Sequence, residues 1–177
     1  GSTPGPLAAA LKNDIPGVVN SGRLSWAMDE LAIVGEKSIK ENGMYADPSV
    51  LSMYAIPFIY GDPATALNKP NDVVISASMS KRFFGNSNPV GKVIKMDAKG
   101  AYSVDGLFTV RGVFKDLPAN CYYHFQWLSP YTTWEDANEW LKPWSNNLTE
   151  TIVELAPTAN TAEINNRLGN YLSGKVD

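Results

Sequence analysis

The chain has one cysteine and one histidine among its 177 residues, Cys121 and His124. A single cysteine permits no internal disulfide, and a structural zinc site needs four cysteine or histidine ligands. We therefore predict no disulfide, no metal site and no cofactor. Cys121 is interpreted as a small, partly buried residue and not as a reactive thiol.

Long apolar runs and basic stripes are also missing. No stretch of about 18 apolar residues is present, so the sequence predicts no transmembrane helix within it. The net charge is −3 and the pI is near 5.2, with acidic and basic residues interspersed. Nucleic acid is therefore not an expected partner. The hydrophobic fraction of 44% still permits a packed core, in one domain or in two small subdomains.

Catalytic side chains form no recognisable set, and we predict that the chain is not an enzyme. Cys121 and His124 would point to opposite faces of an extended strand. The acidic residues lie beside turns and helix starts, where carboxylates cap backbone donors. Residues 85–92 resemble a P-loop, but five residues separate the glycines where that motif has four. A strand pattern also follows them, so nucleotide binding is not expected.

What the sequence does contain is a strand–helix–strand–hairpin unit at residues 61–118. Residues 72–76 form a β-branched run typical of a buried strand, and Ser76 can cap the helix that follows. Met79 and Phe83 share the apolar side of that helix, and Gly85 is suited to end it. Further strands are predicted at residues 90–96 and 108–114.

Both ends of the chain combine helices with strands. An aromatic strand is predicted at residues 122–128, followed by a helix at 133–141 in which Thr132 and Glu135 have the spacing of a capping box. Thr161 is predicted to be the N-cap of the last helix. The other predicted elements are helices at 6–13 and 48–54 and strands at 18–26, 32–34, 39–45 and 149–156.

Five separated motifs resemble one protein family. They are GDP at 61–63, VVIS at 73–76, KRFFG at 81–85, NPVGK at 88–92 and FTVRGVFKDLPAN at 108–120. In this order they resemble the MacB-like periplasmic core domain. That domain is the extracytoplasmic part of MacB/FtsX-type ABC transporter permeases, and the motifs resemble the branch common in Bacteroidetes. The resemblance covers most of the chain.

The resemblance implies an α+β fold with mixed sheets. A membrane-proximal, porter-like subdomain of βαβ type is expected from both chain ends, residues 1–46 and 127–177. A second α/β subdomain, residues 47–126, is expected to be inserted between them. The residue pattern agrees with this class, because adjacent strands are not regularly alternated with helices.

The resemblance also implies a function. The domain is expected to be non-catalytic and to couple ATP-driven conformational change to the handling of a periplasmic substrate or partner. Expected partners are a cytoplasmic ABC ATPase, a second permease copy, and a periplasmic adaptor, lipoprotein or peptide substrate. The domain would lie in the periplasm, anchored in the inner membrane by transmembrane helices before Gly1 and after Asp177.

The aromatic residues at 122–144 keep a second interpretation open. Four of the five tryptophans lie there, and they could form the platform of a free-standing surface module that binds carbohydrate or peptide. Burial in the core is the competing interpretation. Trp144, in a loop after Pro143, is expected to be the most exposed of these four tryptophans. The candidate partner contacts are Tyr131, Trp140 and Trp144, and the loops at 98–107 and 130–144 are where contacts are expected first.

One corner departs from the family pattern. After Asp-Leu-Pro-Ala the resemblance leads us to expect Asn-Ser-His-Phe, whereas the chain has Asn120-Cys-Tyr-Tyr-His124-Phe, which is two residues longer. A bulge or an extended turn can absorb two residues without changing the fold. The role of the corner in partner contact stays open.

Overall fold

The computed structural model describes residues 1–100 and 102–175. The strands are β1 (Thr3–Pro4), β2 (Val18–Leu24), β3 (Met28–Val34), β4 (Lys37–Ala46), β5 (Phe58–Gly61), β6 (Asp72–Ser76), β7 (Val93–Asp97), β8 (Gly106–Phe114), β9 (Trp127–Pro130) and β10 (Asn147–Leu155). The α-helices are α1 (Leu7–Asp14), α2 (Ser49–Met53), α3 (Ala77–Phe84), α4 (Tyr131–Ala137) and α5 (Thr161–Tyr171). Short 3-10 helices lie at Glu139–Leu141 and Leu172–Gly174. Within the described ranges no helix combines the length and the apolar character needed to cross a membrane.

Six strands close into a ring. β4 pairs with β3, β3 with β7, β7 with β8, β8 with β6, and β6 with β9, which returns to β4. The β6–β8 and β4–β9 pairs are parallel and the others antiparallel. The mixed sheet and its helices confirm the predicted α+β class. Each ring strand therefore has a neighbour on both sides, whereas β1 and β5 each have one neighbour.

The two faces of the ring strands carry different apolar clusters. Along β6, Val73 and Ile75 belong to a cluster to which all six ring strands contribute, whereas Val74 belongs to a second cluster. This alternation is the expected period of two. The ring cluster comprises Met28, Ala32, Tyr45, Val73, Ile75, Met79, Phe83, Ile94, Met96, Phe108, Val110, Val113, Trp127, Tyr131, Trp134 and Leu141. It is the main core of the protein.

The two chain ends meet beside the ring. β10 pairs with β2 on one side and with β1 on the other, and β2 joins the ring through the pair Leu24–Ala46. α1 and α5 share a third apolar cluster, which contains Leu7 and Ile164. The first and last elements of the chain therefore lie in one region.

The central unit forms as predicted. The Ser76 hydroxyl accepts a hydrogen bond from the Met79 amide at 3.0 Å, so Ser76 is the N-cap of α3. Met79 and Phe83 are buried in the ring cluster. Gly85 ends the helix with a φ of +65°, in the left-handed region that favours glycine.

Three local predictions are wrong. The aromatic strand begins only at Trp127, because residues 122–125 make no backbone hydrogen bond to any strand that the structure describes. Thr132 forms no cap: α4 starts at Tyr131 directly after Pro130, and Glu135 instead forms an ion pair with Arg23. The N-cap of α5 is Asn160, one residue before Thr161, and its side chain accepts from two backbone amides.

Candidate partner-binding surfaces

Two of the tryptophans are core residues. Trp127 and Trp134 are 1% and 0% exposed, and Trp134 stacks on Tyr45 with their ring centroids 6.0 Å apart. Gly43 lies against the Trp127 indole, since a Cβ at this glycine would be 2.0 Å from the ring atoms. These two side chains therefore serve the core and leave no room for a sugar-stacking platform built on them.

A smaller aromatic surface remains outside them. Trp26 and Tyr102 are 37% and 50% exposed. The Trp26 ring lies edge-on to Tyr102 and to Trp134. Trp140 lies edge-on to Trp134 and to Tyr102, at centroid distances of 5.8 and 5.1 Å. The Trp134 indole donates to the Tyr102 carbonyl at 2.6 Å. The two loops in which contacts were expected are thus brought together.

Tyr131 is fully buried and offers no surface to a partner. The Arg23 guanidinium lies over its ring, 4.1 Å from the centroid, and its hydroxyl bonds to the Thr149 hydroxyl. Burial raises the pKa of Tyr131. Arg23 also binds Asp47 through two nitrogens and Glu135 through a third, at 2.8 to 3.0 Å. This network joins β2, the end of β4 and α4.

Trp144 lies away from the other tryptophans. It is half-buried against the third cluster, and the Lys175 ammonium is 5.7 Å from its ring centroid. Among the four tryptophans at 122–144, Trp140 and Trp144 are half-buried and the other two are buried, whereas Trp26, outside this group, is exposed. Packing of both chain ends around the loop of Trp144 covers part of its indole.

A groove of about 450 Å³ lies between α2 and the segment that follows β8. Sequence reasoning missed it, because its walls come from distant parts of the chain. A volume of this size is within the range typical of ligand sites. Its lining is mostly apolar and comprises Leu24, Val50, Tyr54, Ile56, Pro57, Lys115, Asp116, Leu117, Pro118, Cys121, Tyr122, Tyr123 and Phe125.

Three tyrosines form the rim of this groove. Tyr123 meets Tyr54 and Tyr122 edge-on, at centroid distances of 5.8 and 4.9 Å. Tyr54 and Tyr122 are 47% and 85% exposed. Burial, followed by the nearby carboxylate of Glu150, raises the pKa of Tyr123, and burial raises that of Tyr54. Both hydroxyls therefore stay neutral and can donate hydrogen bonds.

The backbone along one wall of the groove is unpaired. Among the described residues, the amides and carbonyls of residues 122–125 make no hydrogen bond to other backbone groups or to side chains. Pairing resumes at Gln126, whose amide donates to the Asn42 carbonyl at 2.7 Å and whose carbonyl accepts from the Ser76 amide at 2.8 Å. The predicted strand is thus half paired and half free.

Two buried carboxylates inside the ring have unlike surroundings. Glu41 is 4% exposed and is held by the Arg82 guanidinium through two bonds of 2.7 and 2.8 Å. Glu30, its neighbour across β3 and β4, is 1% exposed, and neither of its oxygens has a hydrogen-bond partner within residues 1–100 and 102–175. Burial raises the pKa of Glu30, and the nearby Ser103 offsets only part of this effect.

The side chains considered for chemistry do not form a common site. Cys121 lines the groove, and His124 is exposed and does not line it. No group of three or more histidine, cysteine, aspartate or glutamate side chains within residues 1–100 and 102–175 is arranged to hold a metal ion. The P-loop-like residues 85–92 lead directly into β7, so no helix N-terminus faces them.

Comparison with known protein families identifies the fold's relatives. The sequence profile described as the MacB-like periplasmic core domain matches residues 1–171. The chain belongs to this family. The resemblance found in the sequence motifs is thereby confirmed over nearly the whole chain. No curated protein matches the chain in sequence.

Solved structures show the same fold. A domain of a protein described as a permease from Porphyromonas gingivalis is 26% identical, with a TM-score of 0.82 over 99% of this chain and 79% of that one. The periplasmic region of MacB from Actinobacillus actinomycetemcomitans is 20% identical, with a TM-score of 0.70 over 96% of this chain and 74% of that one. The extracellular domain of the ABC-type transporter YknZ from Gram-positive bacteria is 16% identical, with a TM-score of 0.64 over 94% and 82%. The last two likenesses concern the fold alone.

The corner that departs from the MacB-like pattern coincides with the groove. Cys121, Tyr122 and Tyr123 lie in this corner and line the groove. The two-residue extension was the one signal in the sequence that pointed to this site. Residues of this corner therefore supply part of the groove lining.

Proposed function

We propose that this domain is the non-catalytic, periplasmic part of an ABC transporter permease. In the intact protein it would be anchored in the inner membrane by flanking helices, and a cytoplasmic ABC ATPase would drive it through them. The observation that carries the proposal is the family match across residues 1–171. The Porphyromonas domain, aligned over 99% of this chain, supports it.

The domain couples ATP-driven motion to a substrate or partner in the periplasm. A second permease copy forms the other half of the moving pair. The substrate or partner on which the domain acts is a periplasmic adaptor, a lipoprotein or a peptide. Such coupling needs a body that moves as a unit and has two positions. The closed ring of strands, with the main core packed inside it, supplies a body of that kind.

Movement of the flanking membrane helices is transmitted to the domain through its two chain ends, which lie together. β1 pairs with β10, and α1 packs with α5 in one cluster. We assign residues 1–46 and 127–177 to the membrane-proximal subdomain and 47–126 to the inserted one. The Arg23 network supports a stiff connection between these ends and the ring, because Arg23 binds both Asp47 and Glu135.

Partner contacts are proposed on the aromatic surface of Trp140 and on Trp144. Trp140 lies beside the exposed ring of Tyr102, which is itself edge-on to the exposed ring of Trp26. Exposed aromatic rings over a packed aromatic base are typical of interface anchors. Trp140→Ala is expected to weaken partner binding, with Tyr60→Ala as the control, because Tyr60 is 37% exposed on β5.

Distance measurements in the full permease with its ATPase test the coupling. Cys121→Ser first removes the native thiol, and a spin label is then placed at Asn166 on α5 or at Lys95 on β7, both exposed. We expect the label-to-label distance between two permease copies to differ between ATP-bound and ADP-bound states. An ATPase that hydrolyses normally while both distances stay constant would contradict the proposal. A hydrolysis-deficient ATPase is the control.

A further inference from the structure

The geometry points to the tyrosine-rimmed groove as a binding site for an extended segment of a partner polypeptide. This segment would add to the free backbone of residues 122–125 and place an apolar side chain in the groove. An acidic residue of the segment would meet Lys115. The inference names the partner class for the proposed handling function and uses a surface distinct from Trp140 and Trp144.

The free backbone is the first argument. Residues 122–125 have the aromatic composition of a strand, yet their amides and carbonyls have no partner in the described chain. The next residues are fully paired in the ring, since β9 lies between β4 and β6. Tyr122 and His124 of this segment are exposed, and unpaired backbone donors and acceptors at the surface are a template for an incoming strand.

The groove beside this segment supplies the place for a side chain. Its floor includes Leu24, Val50 and Ile56, which are 1%, 1% and 6% exposed. Removing an apolar side chain from water against such a floor is favourable. Tyr54 and Tyr122 remain exposed at the rim, and tyrosines of this kind are frequent anchors of protein interfaces.

The charged side chains of the groove indicate which residue the partner segment carries beside its apolar one. Among the groove residues, Asp116 is already engaged, because it accepts hydrogen bonds from the Ser78 amide and hydroxyl. Lys115 is exposed and makes no ion pair with any residue that the structure describes. Both Asp116 oxygens are thus occupied and the Glu150 carboxylate lies beside Tyr123, so Lys115 is the cationic lining residue open to an anionic partner. An acidic residue next to the apolar one complements it.

A peptide library tests the inference on the 177-residue chain. Random phage-displayed peptides of about twelve residues, long enough to add one strand, are selected against the immobilised domain. We expect an enriched pattern of alternating apolar residues with an acidic neighbour. A fluorescein-labelled representative is then titrated by anisotropy. Absence of any enrichment over the bare support would overturn the inference.

Variants locate the binding. Tyr54→Ala and His124→Pro are each expected to weaken the peptide at least about tenfold, the first by removing a rim anchor and the second by removing a backbone donor. Tyr60→Ala, an equal truncation outside the groove, should leave affinity unchanged. Circular dichroism and thermal melting confirm folding. Unchanged affinity in folded Tyr54→Ala and His124→Pro would overturn the inference.

Charge reversal gives an independent test should the proline variant not fold. Lys115→Glu should weaken the acidic peptide but not its glutamine analogue, and Lys95→Glu should affect neither. Equal loss for both peptides would contradict the ion pair. Decanoate serves as an apolar competitor: if it binds the groove and the peptides do not, the site is one for acyl chains and the inference is wrong.

Failure here is separable from failure of the proposed function. Peptide binding is measured on the isolated domain and needs no ATPase. If the spin-label distances respond to nucleotide while no peptide binds, the coupling stands and the groove assignment falls. If peptides bind while the distances do not respond to nucleotide, the groove assignment stands and the proposed coupling fails.

Discussion

The aromatic residues on the two sides of Gln126 differ in exposure although they lie in one continuous run. Tyr122 is 85% exposed at the rim of the groove, whereas Trp127 is 1% exposed inside the ring. The difference follows from strand pairing, since β9 has neighbours on both sides and residues 122–125 have none. Backbone pairing thus distinguishes the two ends of the run, Tyr122 and Trp127, while Phe125 between them is unpaired and is buried in the second cluster.

The largest expected effect is on the free energy of unfolding, at Trp127, the buried end of the aromatic run. Trp127→Ala removes a fully buried indole that packs on Tyr45 and donates to the Glu41 carbonyl. We expect a loss of about 3–5 kcal/mol in the free energy of unfolding, from lost burial and a residual cavity. Urea unfolding followed by circular dichroism measures it. A loss below about 1 kcal/mol would mean that Trp127 is not a core residue.

The second-largest loss of stability is expected at Gly43, where β4 lies close against the Trp127 indole. A Cβ at Gly43 would lie 2.0 Å from Trp127, so Gly43→Ala must displace the indole or β4. Overpacking of this kind costs about 1–3 kcal/mol. Gly169→Ala on α5 is the control, because this position has open space around it and a helical backbone. Gly35→Ala would not serve, because Gly35 has a φ of +57°. Equal midpoints for the Gly43 and Gly169 variants would contradict the packing described.

A pH-dependent effect compares the two buried carboxylates. The pKa of Glu30 is raised above its ordinary value of 4.5 because the group is buried. Asp105 and Asp29 add negative charge nearby, Ser103 offsets part of it, and Glu41 across the strand pair is neutralised by Arg82. The stability that neutral Glu30 contributes is complete below pH 4.5 and is lost as the pH rises through the raised pKa.

Glu30→Gln keeps the shape of this side chain without its charge. The melting temperature of the variant minus that of the original chain is therefore expected to increase as the pH is raised from about 4.5 towards neutrality. Glu154→Gln, at an exposed position of β10, serves as the control. A difference that stays constant over this range would show that Glu30 does not change its protonation on unfolding.

The smallest effect is expected on the groove side of the comparison. Tyr122→Ala should change the free energy of unfolding by less than about 0.5 kcal/mol, because the ring is exposed. The same variant should weaken any peptide bound at the groove. A stability loss comparable to that of Trp127→Ala would show that both halves of the aromatic run are core.

Sequence reasoning reached much of the fold because local signals there agree with packing. The β-branched strand at 72–76, the Ser76 cap and Gly85 are local features, and each is found in the structure. The aromatic strand was drawn too long, because its pairing partners are β4 and β6, which lie far away in the sequence. The capping box at Thr132 was wrong because Arg23, more than one hundred residues away, binds Glu135.

The candidate site was harder to predict. Its walls come from α2, from the segment after β8 and from the tyrosine corner, so no single stretch of sequence displays it. Tyr131 was expected at the surface because it lies in an aromatic loop region, yet Arg23 and Thr149 enclose it. The local sign of the groove was the predicted departure from the family pattern at residues 120–125.

Hydrogen exchange of backbone amides tests the central comparison most directly. In the free domain, the amides of Tyr122, Tyr123 and His124 should exchange rapidly, while those of Trp127 and Leu128 should be protected by the ring. Binding of a selected peptide should then slow exchange in the first group alone. Equal protection of both groups in the free domain would contradict the account, because it would mean that residues 122–124 already have backbone partners.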